Sequence, residues 1–229
     1  MLNTMEHGTL YIVATPIGNL EDITMRAIRI LKEVDVVFCE DTRVTKRLCE
    51  RYDIQTPLKS LNARTETSKI KEIINQLEEG VHVAYVSDAG TPTISDPGSM
   101  LVTSVRESGL PVVAVPGAAA VIAALSIAGI PTDEFTFLGF LPHKKGRQTL
   151  LKEIAETKRT VVLYESTHRI IKLLDEFQEH IGDRKVCIAR ELTKIYEEVL
   201  CGTAAELKTV LTETPEKQKG EFVVIVAER

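Results

Sequence analysis

The chain has 229 residues, 44% of them hydrophobic and 27% charged, with a formal net charge of −5. Such a profile belongs to an ordinary globular protein long enough for two domains, and it excludes a collagen-like, disordered or strongly basic chain. The acidic total leaves nucleic-acid binding open, because such binding depends on local patches.

The opening MLNTMEHGTLYIVATP has no basic leader and runs directly into a strand from Leu10 to Ala14. After PIGNLED, the stretch ITMRAIRILKEV carries Ile23, Ala27, Ile30, Leu31 and Val34 at helical spacing. DVVFCE reads as a second strand, DTRVTKRLCERY as a second helix and TPLKSL as a short third strand. ETSKIKEIINQLEEG is a third helix closed by Gly80. VHVAYV is a fourth strand, GSMLVTSVRESG a helix, LPVVAVP a fifth strand and GAAAVIAALSIAG a further helix. Ser108 to Thr132 is uncharged and long enough to span a bilayer, but Pro111, Pro116, Gly117 and Pro131 interrupt it. It reads as a buried strand, a turn and a short buried helix, with no membrane partner.

Strict alternation of buried strands and amphipathic helices predicts a mostly parallel α/β sheet covered on both faces, over residues 1–120. From 121 to 229 the rhythm changes. DEFTFLGFLP, TVVLYES, KVCIARE, YEEVLCG and EFVVIVAE read as strands, some in succession without a helix between them. That pattern predicts a second, smaller mixed domain with antiparallel neighbours. The four Cys show no CxxC and the five His are scattered, so the expectation is four reduced structural cysteines in a cytoplasmic protein and no metal site.

Ligands of open parallel sheets bind outside the carboxyl ends of the strands, and the loops there carry the candidates. In TPIGNLEDIT, Pro16, Gly18 and Asn19 permit a tight turn near backbone donors, yet the chain has neither GxGxxG nor GxxxxGK[ST]. In CEDTR, Asp41 suits a helix cap, while Glu40 and Arg43 stand on the rim. SDAGTPTISDPG is longer than a strand–helix connection needs. Asp96 and Pro97 suit a helix start there, which leaves Ser87, Asp88, Ala89, Gly90 and Thr91 for a ligand. VPGAAA offers close backbone approach, or tight helix packing. FLGFLP, YESTHR and ARELTK close later strands. From His143 to Arg169 there are seven Lys or Arg against three Glu, and Lys144, Lys145 and Arg147 read as a basic loop suited to phosphates.

Together, ATPIGNLEDIT, CEDTR, VSDAGTPTISDPG, VPGAAA, FLGFLP, YESTHR, ARELTK and KGEFVVIV resemble the bacterial ribosomal RNA small-subunit methyltransferase I family, over essentially the whole chain. The resemblance implies a two-domain tetrapyrrole-methylase fold, class III among S-adenosylmethionine (SAM) methyltransferases, with SAM in the interdomain cleft. It implies methyl transfer to the ribose 2'-hydroxyl of a cytidine in 16S ribosomal RNA by a homodimer. The implied cofactor contacts are Ser87, Asp88, Ala89, Gly90, Thr91, Gly117, Ala118, Ala119, Ala120 and Leu138 to Leu141. Pro16, Gly18 and Asn19 would face the active cleft.

Three departures stand out. Ala119 replaces a family Ser and offers no hydroxyl. SLNARTE, with Asn62 and Arg64, replaces a His-containing segment. Thr167 replaces a Pro in YESTHR. For the proton of the acceptor hydroxyl the candidates are Glu40 and Glu165, then Asp88 and Glu191. Arg43, Lys144, Lys145, Arg147 and Arg169 are expected on the RNA. A small-molecule methylase and a non-catalytic RNA-binding protein are the rival readings.

Overall fold

The computed structural model describes residues 7–62 and 66–229. The chain divides into two compact units, Met1–Ala119 and Ala120–Arg229.

In the first unit, five parallel strands lie in the order β3-β2-β4-β1-β5. They are β1 (Leu10–Val13), β2 (Val36–Cys39), β3 (Leu58–Ser60), β4 (Val83–Val86) and β5 (Val112–Val115). Between them run α1 (Met25–Glu33), α2 (Thr42–Tyr52), α3 (Glu66–Glu78) and α4 (Ser99–Glu107). The period-2 alternation of a strand splits the core into two layers. Val37, Cys39, Ala84 and Val86 meet α1 and α2 through Ala27, Ile30, Leu31, Leu48 and Cys49. Val36, Phe38, Val83 and Tyr85 meet α3 and α4 through Ile70, Ile73, Leu77, Leu101 and Val105. Burial on both faces is why these strands read as continuous apolar runs.

The second unit opens with α5 (Ala120–Ala128). Its sheet has the order β6-β7-β10-β8-β9. The strands are β6 (Phe135–Phe140), β7 (Thr160–Ser166), β8 (Val186–Arg190), β9 (Glu198–Gly202) and β10 (Glu221–Val226). β6 runs parallel to β7, and β10 is antiparallel to both β7 and β8. Helices α6 (Arg147–Glu156), α7 (Ile170–Ile181) and α8 (Ala204–Glu213) cover one face with Leu151, Ile154, Leu173, Leu174, Phe177, Leu207 and Leu211. Among the described residues, no helix is long and apolar enough to cross a membrane.

Two local expectations are corrected. Cys187 and Cys201 are not reduced: strand register puts them directly opposite across β8 and β9, 4.1 Å apart at Cα, and a disulfide joins them. Sequence spacing does not reveal register. Cys39 and Cys49 are free, and burial pushes both thiols above their ordinary pKa. The second correction concerns α4. Its N-cap is Gly98 at φ 115°, with no side-chain cap, so Asp96 does not cap it. Glu66 does part of that work, accepting the Leu101 N–H at 3.0 Å from α3.

Candidate functional site

In the first unit the loops at the carboxyl edge of the sheet are tied together by the segment after β4. Thr15 and Gly90 exchange two backbone hydrogen bonds, at 2.9 and 3.0 Å, which join it to the loop after β1. The Thr15 hydroxyl, buried, donates to the Ser87 carbonyl at 3.3 Å. On the other side the Thr91 hydroxyl donates to the Ala118 carbonyl at 3.1 Å. Towards β2, an Asp88 oxygen accepts the Asp41 N–H at 2.9 Å, while Glu40 accepts the Asp88 N–H. The central strand therefore places one loop in contact with three neighbours. Ser87 to Thr91, Gly117, Ala118, Thr15 and Glu40 come together here. Thr15 escaped notice in the sequence because one threonine after an apolar run carries no distinctive signal.

Asp41 caps α2 by accepting the Arg43 N–H at 2.8 Å, and its carboxylate also holds the Arg43 guanidinium at 2.5 Å. That guanidinium lowers the Asp41 pKa to about 2. Arg43 stays 88% exposed in its side chain although Asp41 holds its guanidinium. Pro16 is buried, whereas Gly18 and Asn19 are exposed. Asn19 caps the short 3-10 turn at Leu20–Asp22 by accepting the Glu21 N–H. A cavity of about 50 Å³ lies under Thr15, Pro16, Leu20, Val44, Thr45, Leu48, Ser87 and Asp88. It has room for a water or two and is far too small for a nucleoside.

The carboxylates of this edge are unlike ordinary surface acids. Burial, then the charges of Asp88 and Asp96, raise the Glu40 pKa. Burial also raises Asp88 and Asp96, the Ser87 hydroxyl partly opposing it at Asp96. A carboxyl whose pKa is raised on folding adds stability below its unfolded pKa and loses it as pH rises through the folded value. Asp41 runs the other way: its contribution is present above the ordinary range and is lost as pH falls towards about 2. Asp96→Asn should therefore raise the melting temperature at neutral pH and change it little near pH 4. Calorimetry across that range checks it, and an equal effect at both ends would contradict the raised value.

The backbone of Gly90 has φ +82°, and a Cβ built there would meet nothing nearer than the Ile17 methyl at 3.4 Å. A left-handed glycine with room for no more than ordinary contact, in a loop fixed from three sides, lets backbone come close to a flat ligand. The donor set fits a nucleoside cofactor: backbone amides and carbonyls with one partly exposed carboxylate, Asp88. Ala119 contributes no side-chain hydrogen bond, and its neighbour Ala118 is held through its carbonyl by Thr91. Among the described residues, no group of three or more His, Cys, Asp or Glu could hold a metal ion. Asn62 precedes the undescribed segment, and Arg64 lies outside the described residues.

In the second unit, β6 is broken by a register shift between Phe137 and Phe140, with Gly139 at φ 61°. A glycine inside a strand pattern signals such a bulge, and bulges turn side chains at functional edges. Leu138 is half-buried against the core and Leu141 is 1% exposed within it, so only the Leu141 backbone can meet a ligand. Phe137 and Phe140 pack edge-on against Tyr164, whose hydroxyl accepts the Val121 N–H beside Ala120. His143, Lys144 and Lys145 are exposed after Pro142.

Three expected site residues are placed otherwise. Arg147 is not in the basic loop but opens α6, 4% exposed, with its guanidinium on Glu176 at 2.5 to 3.1 Å. Glu165 is 1% exposed, and its Oε1 accepts from Arg169 at 2.7 Å and from the Ser166 N–H at 2.8 Å, while its Oε2 is buried without a hydrogen bond. Arg169 donates from Nε to Glu165 and from Nη1 to the Leu141 carbonyl, at 3.0 Å. For Arg147 and Glu165 the physical reason is that a buried charge must be paired, and Arg169, less buried, is the partner Glu165 found. YESTHR, ARELTK and KGE meet in a structural lock: the Thr167 hydroxyl bonds the Gly220 carbonyl and N–H, and Glu191 bonds the Glu221 N–H and Lys194. Thr167 thus stitches two strand ends, and Arg169 stands at the N-cap of α7.

Comparison with known proteins adds identity to this geometry. Residues 9–208 match the family model "Tetrapyrrole (Corrin/Porphyrin) Methylases". "Ribosomal RNA small subunit methyltransferase I" of Halalkalibacterium halodurans is 50% identical over 222 residues, 96% of this chain and 76% of that protein. The protein of the same name from Escherichia coli O157:H7 is 47% identical, covering 96% and 77%. Among solved structures, diphthine synthase superposes with TM-score 0.74 at 17% identity over 96% of this chain and 90% of that one. Uroporphyrin-III C-methyltransferase from Thermus thermophilus gives 0.67 at 20% identity, covering 96% and 94%. Likeness at such low identity shows the fold alone.

Proposed function

The chain belongs to the tetrapyrrole methylases and, within them, to the ribosomal RNA small subunit methyltransferase I family, and from that membership we propose that it methylates the ribose 2'-hydroxyl of a cytidine in 16S ribosomal RNA with SAM as donor. The observation that carries this reading is the 50% identity to a relative of that name across 96% of the chain. A cytoplasmic homodimer is part of the same reading.

When bound, SAM supplies a methyl group activated on a sulfonium. The chain's own task is to hold donor and acceptor in line, exclude water and take the hydroxyl proton. Ser87 to Thr91 and Gly117 to Ala119 would hold the cofactor through backbone groups and Asp88. Glu40 is the better proton acceptor of the two carboxylates first considered. It is partly exposed and its proton affinity is raised by burial and by Asp88 and Asp96, whereas Glu165 is sealed. Arg43, Lys144 and Lys145 are left to meet RNA phosphates.

The direct test is incubation with radiolabelled SAM and either 30S subunits or bare 16S RNA from cells lacking the enzyme, followed by mapping of the labelled nucleotide. Label in a base, or none in either RNA, would refute the reading. The electrostatic part has its own check. Lys144→Ala with Lys145→Ala should weaken RNA binding and make the slope of log K against log salt shallower by up to about two units, with SAM affinity nearly unchanged. An unaltered slope would remove this loop from the RNA interface.

A further inference from the structure

We propose that Arg169 and Arg147 form a positioning clamp that sets the backbone of Leu141 and Pro142, and that Glu165 and Glu176 serve as its counter-charges. The two arginines come from different helices yet donate to successive carbonyls: Arg169 Nη1 to Leu141 O at 3.0 Å, Arg147 Nη1 to Pro142 O at 3.1 Å. Behind them the carboxylates interlock. Glu165 takes Arg169 Nε at 2.7 Å, Glu176 takes Arg147 Nε at 2.9 Å, and Arg147 Nη2 lies 3.9 Å from Glu165. Each guanidinium faces a carboxylate, and Lys172 lies a further 3.9 Å from Glu176 at the exposed edge. A planar, forked cation is the right device here, since one end can grip a carboxylate while another donates to a carbonyl.

The clamped residues sit at a junction. Immediately before them is the bulged strand end with Leu138 and Gly139, and immediately after is the exposed pair Lys144 and Lys145. The clamp therefore holds at one point the segment that would meet the cofactor on one side and RNA on the other. This significance rests on the proposed function; the clamp itself rests only on the contacts. In YESTHR a glutamate stands four residues before an arginine, and Glu165 and Arg169 meet across the turn leading into α7.

The test uses Arg169→Lys and Glu165→Gln in the full chain, with circular dichroism confirming the fold. Lys keeps charge and bulk but cannot reach both partners. Hydrogen exchange should quicken at least about tenfold in the peptide spanning 140–146, with the rest of α6 and α7 still protected. That readout needs no substrate, so unchanged exchange overturns the clamp whatever the enzyme does. In steady state, Arg169→Lys should raise KM for SAM or for RNA about tenfold with kcat within about threefold, and Glu165→Gln should keep the wild-type pH profile. If Glu165→Gln does not fold, Arg169→Lys carries the test alone. A kcat loss beyond a hundredfold at unchanged KM in either variant, or loss of the acid limb in Glu165→Gln, would place these groups in the chemistry and overturn the proposal. A wild-type protein without methyl transfer, but with the predicted exchange in Arg169→Lys, would refute the function and leave the clamp standing.

Discussion

Arg147→Met should destabilise the protein by about 3 kcal/mol, the lower end of the range for breaking one side of a buried ion pair. At this chain length the melting temperature should fall by roughly 10 °C. The argument turns on what remains. Removing the guanidinium leaves Glu176 nearly buried, with only Lys172 at 3.9 Å to relieve it, and frees the Pro142 carbonyl. That partial relief sets the estimate at the low end. Glu176→Leu combined with Arg147→Met should recover most of the loss, because two well-packed apolar side chains cost less than one orphaned charge. Thermal melts of the two single variants and the double variant check this cycle. Had Arg147 been a phosphate ligand, the single variant would keep its stability and flatten the salt slope for RNA. That pair of outcomes would contradict the burial described above.

Alternation of apolar runs with helical periodicity made the first unit legible from the sequence. Ile23, Ala27, Ile30, Leu31 and Val34 fall at helical spacing in the sequence, and all five are buried, Ala27, Ile30 and Leu31 within α1 and Ile23 and Val34 flanking it. The loops after β1, β2, β4 and β5 were equally legible, because Gly, Pro and carboxylates beyond a buried strand mark a place where side-chain bulk is not wanted. What one dimension hides is pairing across elements. Arg147 lies 29 residues from Glu176, and nothing at that distance distinguishes a solvated lysine-rich loop from a loop whose third cation turns inward. Lys144 and Lys145 did stay out. Register hides in the same way, as Cys187 and Cys201 illustrate. Asp96 looked like a cap because Asp-Pro-Gly before a helix suits one, but the left-handed Gly98 begins α4 and leaves Asp96 with Ser87.

Gly90 and Gly98 stand in the same segment and should respond differently to substitution, which separates ligand space from folding space. A Cβ at Gly98 would lie 2.4 Å from the Tyr85 ring, in a residue that is fully buried, at φ +115°. Gly98→Ala should cost about 3 kcal/mol, combining overpacking with left-handed strain. SAM affinity of the molecules that do fold should be little changed. At Gly90 the nearest neighbour of a Cβ is the Ile17 methyl at 3.4 Å, so Gly90→Val carries at least the backbone strain of φ +82°, about 1–2 kcal/mol or more for a β-branched residue. Its branched side chain would instead fill the space beside the Asp88 loop. Calorimetric titration with SAM should show the dissociation constant raised at least about tenfold, or 1.4 kcal/mol, in a protein that still melts cooperatively. Unchanged affinity in folded Gly90→Val would mean that the cofactor does not lie against this loop. Lost affinity in folded Gly98→Ala would mean that the loop transmits its shape to the ligand along its whole length, and that Tyr85, beneath it, belongs to the site.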